Sequence, residues 1–433
     1  MPFETSSSIA RKIAVIGGGI SGMGAAYSLS EDHNVTLFEA EPRLGGHART
    51  VMAGKNGDQP VDTGFIVFNH VNYPNMVELF ERLDVPTVKS DMSFGASIDG
   101  GWLEYGFGSV NATFAQRRNL MRPKYLGMIR DIFRFNKSAV EAAENLPDAT
   151  IGELLDYLQL GEWFRKYYLA PLSGAIWSTP VDEILDFPAQ AMITFLENHA
   201  LLSHTGQHQW YTVQGGSIQY VTRLKAALQR KGVELRIGSP VQGVRRTAVG
   251  PQVRSSGGEW EQFDEIVFAT HSDVSLALLE DPMPHETDIL SAVKYQPNKI
   301  VLHADASVMP KRRLCWSSWV YTEDRDAPSD RIDLTYWMNS LQPIPMDDPH
   351  FVTLNSRRAI REDLIYDEVT FMHPVYDMAA WDAQKKMPLV NGTANTWFCG
   401  AWMKNGFHED GLSSGLEVAD SLRLRVRQQV AAE

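Results

Sequence analysis

The sequence predicts an α/β protein whose parallel, nucleotide-binding type of sheet is interrupted by a second, mixed α+β region, and three stretches carry that reading. The run "RKIAVIGGGISGMGAAYSLS" sets a buried strand, residues 13–16, directly before Gly17, Gly19 and Gly22 in G-x-G-x-x-G spacing, with a helix from about Ile20. "HNVTLFEAEPRLGGHARTV" supplies a second strand, residues 35–38, that runs into an acidic residue. "NTWFCGAWMKNGFHEDGLSSGLEVADSLRLRV" closes the pattern with a strand ending near Cys399, a loop through Gly400, and a helix from about Leu412.

Each element of the first unit has a physical reason. Gly17 permits the tight turn, Gly19 lets a pyrophosphate approach the backbone, and Gly22 lets helix and strand pack closely. Ile20 and Ser21 then open a helix whose free N–H groups and positive dipole end face the phosphates. Glu39 lies 22 residues after Gly17, where a carboxylate that binds a ribose belongs, and Ala40 comes next. This context, strand then glycines then helix then acid, points to a Rossmann-like dinucleotide site. A lone glycine motif would not.

The segment after Glu39 separates a cofactor that stays from one that comes and goes. A nicotinamide domain continues into its next helix, whereas this chain passes through Arg43, Gly45, Gly46, His47 and Thr50 to "VDTGF" at 61–65, which holds Thr63, Gly64 and Phe65. A paired-glycine turn beside a guanidinium can offer N–H groups and charge to a pyrophosphate. Arg43, Gly45, Gly46 and Thr50 resemble the R-x-G-G-x-x-x-T stretch of the flavin amine oxidase superfamily. The resemblance implies bound FAD.

Further along, Gly215 and Gly216 open a helix, a strand near residues 235–237 leads to Val241, and "FDEIVFAT" at 263–270 reads as a strand inside a parallel sheet. The cofactor domain is therefore expected to be discontinuous, over 10–95, 206–275 and 391–428. In the resembled superfamily the last strand-loop-helix reaches the flavin, which marks Gly400, Gly411 and Leu412. Residues 96–205, read as helical and aromatic, and 276–390 would form a substrate- and membrane-facing domain.

Composition narrows the class. The 433 residues are 44% hydrophobic and 21% charged, as expected of a globular protein of two or more domains. No run approaches a spanning helix, and "MPFETSSSIARK" lacks the apolar middle of a secretory signal, so a cytoplasmic location is expected. A net charge of -13 argues against wholesale nucleic-acid binding. Cys315 and Cys399, 84 positions apart, suggest neither a disulfide nor a metal site.

A narrower resemblance rests on "GGHART", "SDMSFGAS", "YLAPLSGAIWS", "LTYWMNSLQ", "HPVYD" and "GFHEDGLSSGLEVA". These look like a branch of the superfamily associated with cyclopropane fatty acid synthases and lipid methyltransferases, which includes the flavin-dependent desaturases of bacterial furan fatty acid synthesis. The resemblance implies oxidation of a methylated mono-unsaturated acyl chain of a phospholipid to a conjugated methylated diene, with a lipid methyltransferase as partner. Loss of hydride next to a double bond leaves an allylic cation, so the chemistry is reasonable. An amine or other small-molecule oxidase, and a non-catalytic flavoprotein partner of a methyltransferase, are the alternatives.

Two residues are catalytic candidates. His408, in "NGFHEDG", has an imidazole suited to taking a proton, and it is equally suited to positioning the flavin. Lys299 falls where many flavin amine oxidases carry a lysine. Glu409 and Asp410 read as charges at a helix N-terminus, and His199, His204 and His208 as polar loop residues. Residues 115–138 hold Arg117, Arg118, Arg122, Lys124, Arg130, Arg134 and Lys137 against one acid, with Ile129, Ile132 and Phe133 expected on another face. A basic amphipathic helix of this kind suits peripheral contact with the inner face of the cytoplasmic membrane. Tyr168, Ile176 and Trp177 are expected mainly in the core.

Overall fold

A computed structural model of the chain describes residues 10–177, 183–203, 207–323 and 332–432. Its five-stranded sheet runs in the order Glu234–Ile237, Asn34–Glu39, Lys12–Ile16, Glu265–Phe268, Thr396–Phe398, and every pairing is parallel. The apolar run at 13–16 is almost fully buried because helices cover one face of the sheet, while a three-stranded antiparallel sheet (Val241–Thr247, Gly250–Ser255, Glu261–Gln262) and further helices cover the other. Helix Ile20–Leu29 packs on the closing helix His408–Ala432 through small residues. A Cβ added to Gly415 would lie 2.4 Å from the Ser21 carbonyl oxygen, and one added to Gly24 would lie 2.4 Å from Leu412 Cδ1. The closing helix starts at His408, four residues before the expected Leu412, so the imidazole belongs to its first turn.

A seven-stranded sheet forms the second layer, in the order Ile365–Val375, Lys294–His303, Phe351–Leu354, Asp333–Trp337, Trp319–Glu323, Phe94–Ile98, Leu103–Gly106. Its first pairings are antiparallel, and only Trp319–Glu323 runs parallel to its neighbour Phe94–Ile98. Residues 94–106 thus form a hairpin where a helical stretch was expected. Its turn places Asp99, Gly100 and Gly101 successively at φ 48°, 54° and 99°, which two glycines make tolerable.

Helices Pro123–Asn145, Ile151–Tyr157, Ala170–Trp177 and Ala189–Asn198 pack with this sheet into one large core. Along the first of them Tyr125, Met128, Ile132, Phe135 and Ala139 are buried at helical spacing. Phe133 falls off that stripe and is 55% exposed beside Arg130 and Arg134, so it does not share the buried face of Ile132 as expected. A small antiparallel sheet of Val67–Asn69, Trp210–Val213 and Thr87–Ser90 borders the site. Among the described residues no helix is long and apolar enough to cross a membrane.

Candidate functional site

A cavity of about 650 Å³ extends from the glycine turns of the parallel sheet to the inner face of the seven-stranded sheet. At its nucleotide end Gly17 has φ +110°, and a Cβ there would sit 2.6 Å from the Ala269 carbonyl oxygen. Gly19 has open space where a Cβ would be, toward the cavity. The Gly45 N–H donates to the Gly18 carbonyl at 2.8 Å, which docks the second glycine turn on the first. A Cβ on Gly46, at φ +55°, would press on Gly19 Cα at 3.1 Å. Glu39 accepts from the N–H of Gly18 at 2.6 Å and of Glu41 at 2.8 Å, so its carboxylate is held at the rim. Ile20, Ser21, Ala40, His47, Thr63, Gly64, Phe65, Val241 and Gly400 also line the cavity.

Four residues assigned to the cofactor stand one layer behind. Gly22 packs helix on strand, since its Cβ would come 1.9 Å from the Gly17 carbonyl oxygen. Gly411 approaches Ser21 in the same way, and Leu412 fills the space over Gly24. The Arg43 guanidinium does not face the pyrophosphate groove. It donates to the carbonyls of Gly46 at 2.9 Å and Ala48 at 3.1 Å and pairs with Glu41, bracing the paired-glycine turn from behind. Thr50 serves another buried centre. It donates to Asp62, which also accepts from the N–H and hydroxyl of Ser217 and from Gln342 Nε2.

The far end of the cavity is apolar. Register sets Ile300 beside Leu354, Val352 beside Tyr336, and Tyr336 beside Trp319, which gives one continuous face to which Phe371, Met92, Ile176 and Trp210 add. Side chains alternate along a strand, so Asn298 and Ile300 point inward and Lys299 points outward. Lys299 pairs with Glu368 at 2.9 Å on the half-exposed outer face and does not line the cavity, which corrects its assignment as a catalytic residue. Among the described lining residues the only acids are Glu39 and Glu41, both at the nucleotide end, and no Lys or Arg is present.

Four imidazoles line the cavity instead. His47 has its ring 5.5 Å from His373, 5.9 Å from His271 and 4.6 Å from Phe371. His271 stacks on Tyr295 at 4.3 Å. His408 stacks on Phe65 at 4.0 Å, with Nε2 2.9 Å from the Tyr220 hydroxyl. Burial strips water from the charged form of each, pushing His47 and His271 down to about 4 and His373 and His408 down to about 3. All four are neutral at physiological pH. Only His47 and His408 of this group stood out in the sequence. His271 and His373 reach the cavity through strand ends, and "HPVYD" marked the latter without a role.

The flanking acids are structural. Glu409 accepts from the backbone N–H of Asn75 at 3.0 Å and of Met76 at 2.9 Å, and from Asn75 Nδ2 at 2.6 Å, so it caps helix Pro74–Arg82 from another helix. Asp410 accepts from the N–H groups of Asn405 and Phe407 ahead of its own helix. His199 and His208 bind the carbonyls of Phe195 and Asn198 at the end of helix Ala189–Asn198, and His204 lies outside the described residues. Tyr168 and Trp177 are core residues, while Ile176 faces the cavity.

In the basic run, Arg117 donates to the Phe114 carbonyl, and both Arg118 and Arg122 donate to that of Trp102. Arg130 pairs with Asp131. Lys124, Arg134 and Lys137 are exposed along the same helix.

Residues 20–312 match the family described as flavin containing amine oxidoreductase. A stretch of 43 residues is 54% identical to protoporphyrinogen oxidase 2, chloroplastic/mitochondrial, of Arabidopsis thaliana, covering 10% of this chain and only 8% of that protein. The fold is similar to that of the CLA-producing fatty acid isomerase from P. acnes, at 14% identity and a TM-score of 0.67 over 95% of this chain and 98% of the other. It is also similar to cyclohexylamine oxidase from Brevibacterium oxydans IH-35A, at 14% identity and a TM-score of 0.64 over 96% and 100%. These relatives overturn the expected partners. The two solved structures are named for a fatty acid and an amine, not for a phospholipid acyl chain or a lipid methyltransferase. The glycine-lined groove and the matched family agree on FAD as cofactor and on an oxidoreductase, and the chain belongs to the flavin containing amine oxidoreductase family.

Proposed function

We propose that the protein oxidises a small, predominantly apolar amine by removing hydride from the carbon next to nitrogen. The observation that carries this reading is a compartment walled by Trp319, Tyr336, Phe371 and aliphatic side chains, whose described lining residues include no carboxylate and, as bases, only weakly basic imidazoles. Bound FAD supplies the hydride acceptor. The chain's own part is to hold the cofactor in the glycine groove, to exclude water, and to orient the substrate against the apolar wall. When the C–H electron pair leaves as hydride, the nitrogen lone pair forms the C=N bond. The product is an iminium ion, and no separate base is needed. The amine must enter neutral, because an ammonium would be buried there without a counter-charge.

Under this reading His408 is a positioning group. Its stack on Phe65 and its bond to Tyr220 fix the ring, and an imidazole pushed down to about 3 is a poor base near neutral pH. A second reading is desaturation of a methyl-branched, mono-unsaturated fatty acid to a conjugated methylated diene, favoured by the unbroken apolar wall. That reaction needs a base to take the second proton, and the four imidazoles are ill suited to it.

Anaerobic mixing of the FAD-loaded protein with cyclohexylamine, with putrescine, and with a methyl-branched unsaturated fatty acid separates the two. Bleaching of the flavin by an amine, with the matching carbonyl product after hydrolysis, is expected. Bleaching by the fatty acid alone, with diene formed, replaces the first reading by the second. Full FAD occupancy with no bleaching by any of the three overturns both.

A further inference from the structure

The tautomer of His373 is fixed by a chain of hydrogen bonds that begins at a backbone donor. The Lys299 N–H donates to Asn355 Oδ1 at 2.9 Å, and a backbone N–H cannot exchange roles. Asn355 Nδ2 therefore faces Asn298 Oδ1 at 2.7 Å, and it also reaches the Ile332 carbonyl at 3.2 Å. Asn298 is 1% exposed, and its own Nδ2 meets His373 Nδ1 at 2.9 Å. An amide nitrogen only donates, so Nδ1 must accept, and a neutral imidazole then carries its proton on Nε2. Desolvation keeps the ring neutral, and an N–H on Nδ1 would also oppose the amide donor. Among the described residues Nε2 has no protein partner, and His373 lines the cavity.

Its surroundings belong to the cofactor end. The ring lies 5.5 Å from that of His47, the residue after the Gly45–Gly46 turn. Phe371, two residues away on the same face of the strand, packs on His47 at 4.6 Å and would touch a Cβ on Gly64 at 3.5 Å. The wall residues Trp319 and Tyr336 lie in strands further along the sheet.

We propose that His373 is a preset hydrogen-bond donor to FAD, its Nε2–H meeting an acceptor atom of the bound cofactor. The seven-stranded sheet thereby holds the cofactor that the parallel sheet binds by its glycines, and Asn298 and Asn355 act as positioning residues. The inference requires FAD and no particular substrate.

The test uses the full chain, stripped of flavin and titrated with FAD by fluorescence quenching, together with the visible spectrum and midpoint potential of the reloaded protein. His373→Phe should weaken FAD binding about tenfold, the loss of one hydrogen bond to a buried acceptor, and should move the spectrum or the potential. His373→Gln, whose amide can donate from nearly the same place, should recover most of both. Asn298→Asp keeps the imidazole but draws its proton to Nδ1, turning Nε2 into an acceptor, and should behave like His373→Phe. An FAD affinity within twofold of the parent with an unchanged spectrum and potential in His373→Phe overturns the proposal. So does a Gln variant as impaired as the Phe variant. Should His373→Phe not fold, Asn298→Asp decides alone, and parental FAD binding by that variant overturns it.

Discussion

Replacing Glu409 by Ala removes the cap of a helix that lies on another part of the chain. Helix Pro74–Arg82 has Tyr73 at its N-cap, which offers no side-chain bond, and Pro74 at its first position. The free N–H groups of Asn75 and Met76 are satisfied by the two oxygens of Glu409, which is 8% exposed. A lost cap costs about 1 kcal/mol, and bonds to a charged acceptor with the helix dipole behind them raise this to about 3 kcal/mol. At about 2 cal/mol/K per residue, the unfolding entropy of 433 residues turns that into a fall in Tm of roughly 3 °C. Glu409→Gln should fall between, because its amide oxygen can serve one N–H while its NH2 confronts the other. Tyr73 and His408 line the cavity on either side of this bond, so FAD affinity should fall with stability. Thermal unfolding of the FAD-loaded protein, with hydrogen exchange at Asn75, Met76 and Val77, is the assay. A shift below 1 °C with parental exchange in Glu409→Ala would refute the capping argument.

Burial raises Asp62 from 3.8 to about 6 despite its hydrogen bonds. Its contribution is therefore complete below about pH 4 and lost as pH rises through 6. The stability gap between the parent and Asp62→Asn should change by about 3 kcal/mol across that window, and denaturant midpoints giving a flat gap would contradict it. For an amine substrate, kcat/KM should rise about tenfold per pH unit until the pKa of the free amine, near 10, because only the neutral form enters; a profile flat from pH 6 to 9 would place a counter-charge in the compartment. Lys299→Met breaks only an exposed ion pair, so stability should move by less than about 1 kcal/mol. Flavin reduction in that variant should stay within twofold, and stopped-flow traces showing a larger loss would return Lys299 to the mechanism.

The nucleotide end was readable because its chemistry is local. Gly17, Gly19 and Gly22 act through backbone torsion and Cβ clearance, and their spacing alone implies a strand before and a helix after. Arg43 shows the limit. The guanidinium turns to the Gly46 and Ala48 carbonyls and to Glu41, an orientation that depends on where those carbonyls point. The hairpin at 94–106 was hidden because its partner strand, Trp319–Glu323, lies more than two hundred residues away. Phe133 was misplaced by less than one helical turn, since the buried stripe is set by what the helix packs on and not by apolar content alone.

The substrate wall depends on strand parity, which a single sequence does not reveal. In Lys294–His303 the odd residue Lys299 and its even neighbours Asn298 and Ile300 face opposite sides. A shift of one residue would bring an ammonium into the compartment and turn away both the isoleucine and the amide that orients His373. The register is pinned on both sides, by Ile300 opposite Leu354 and by Asn298 opposite Phe371. The same pairing that keeps charge out of the apolar end thus delivers a neutral hydrogen-bond donor to the cofactor end. A compartment of this kind can orient a neutral substrate and tune a flavin through dipoles, while a charged substrate would have to shed its charge to enter.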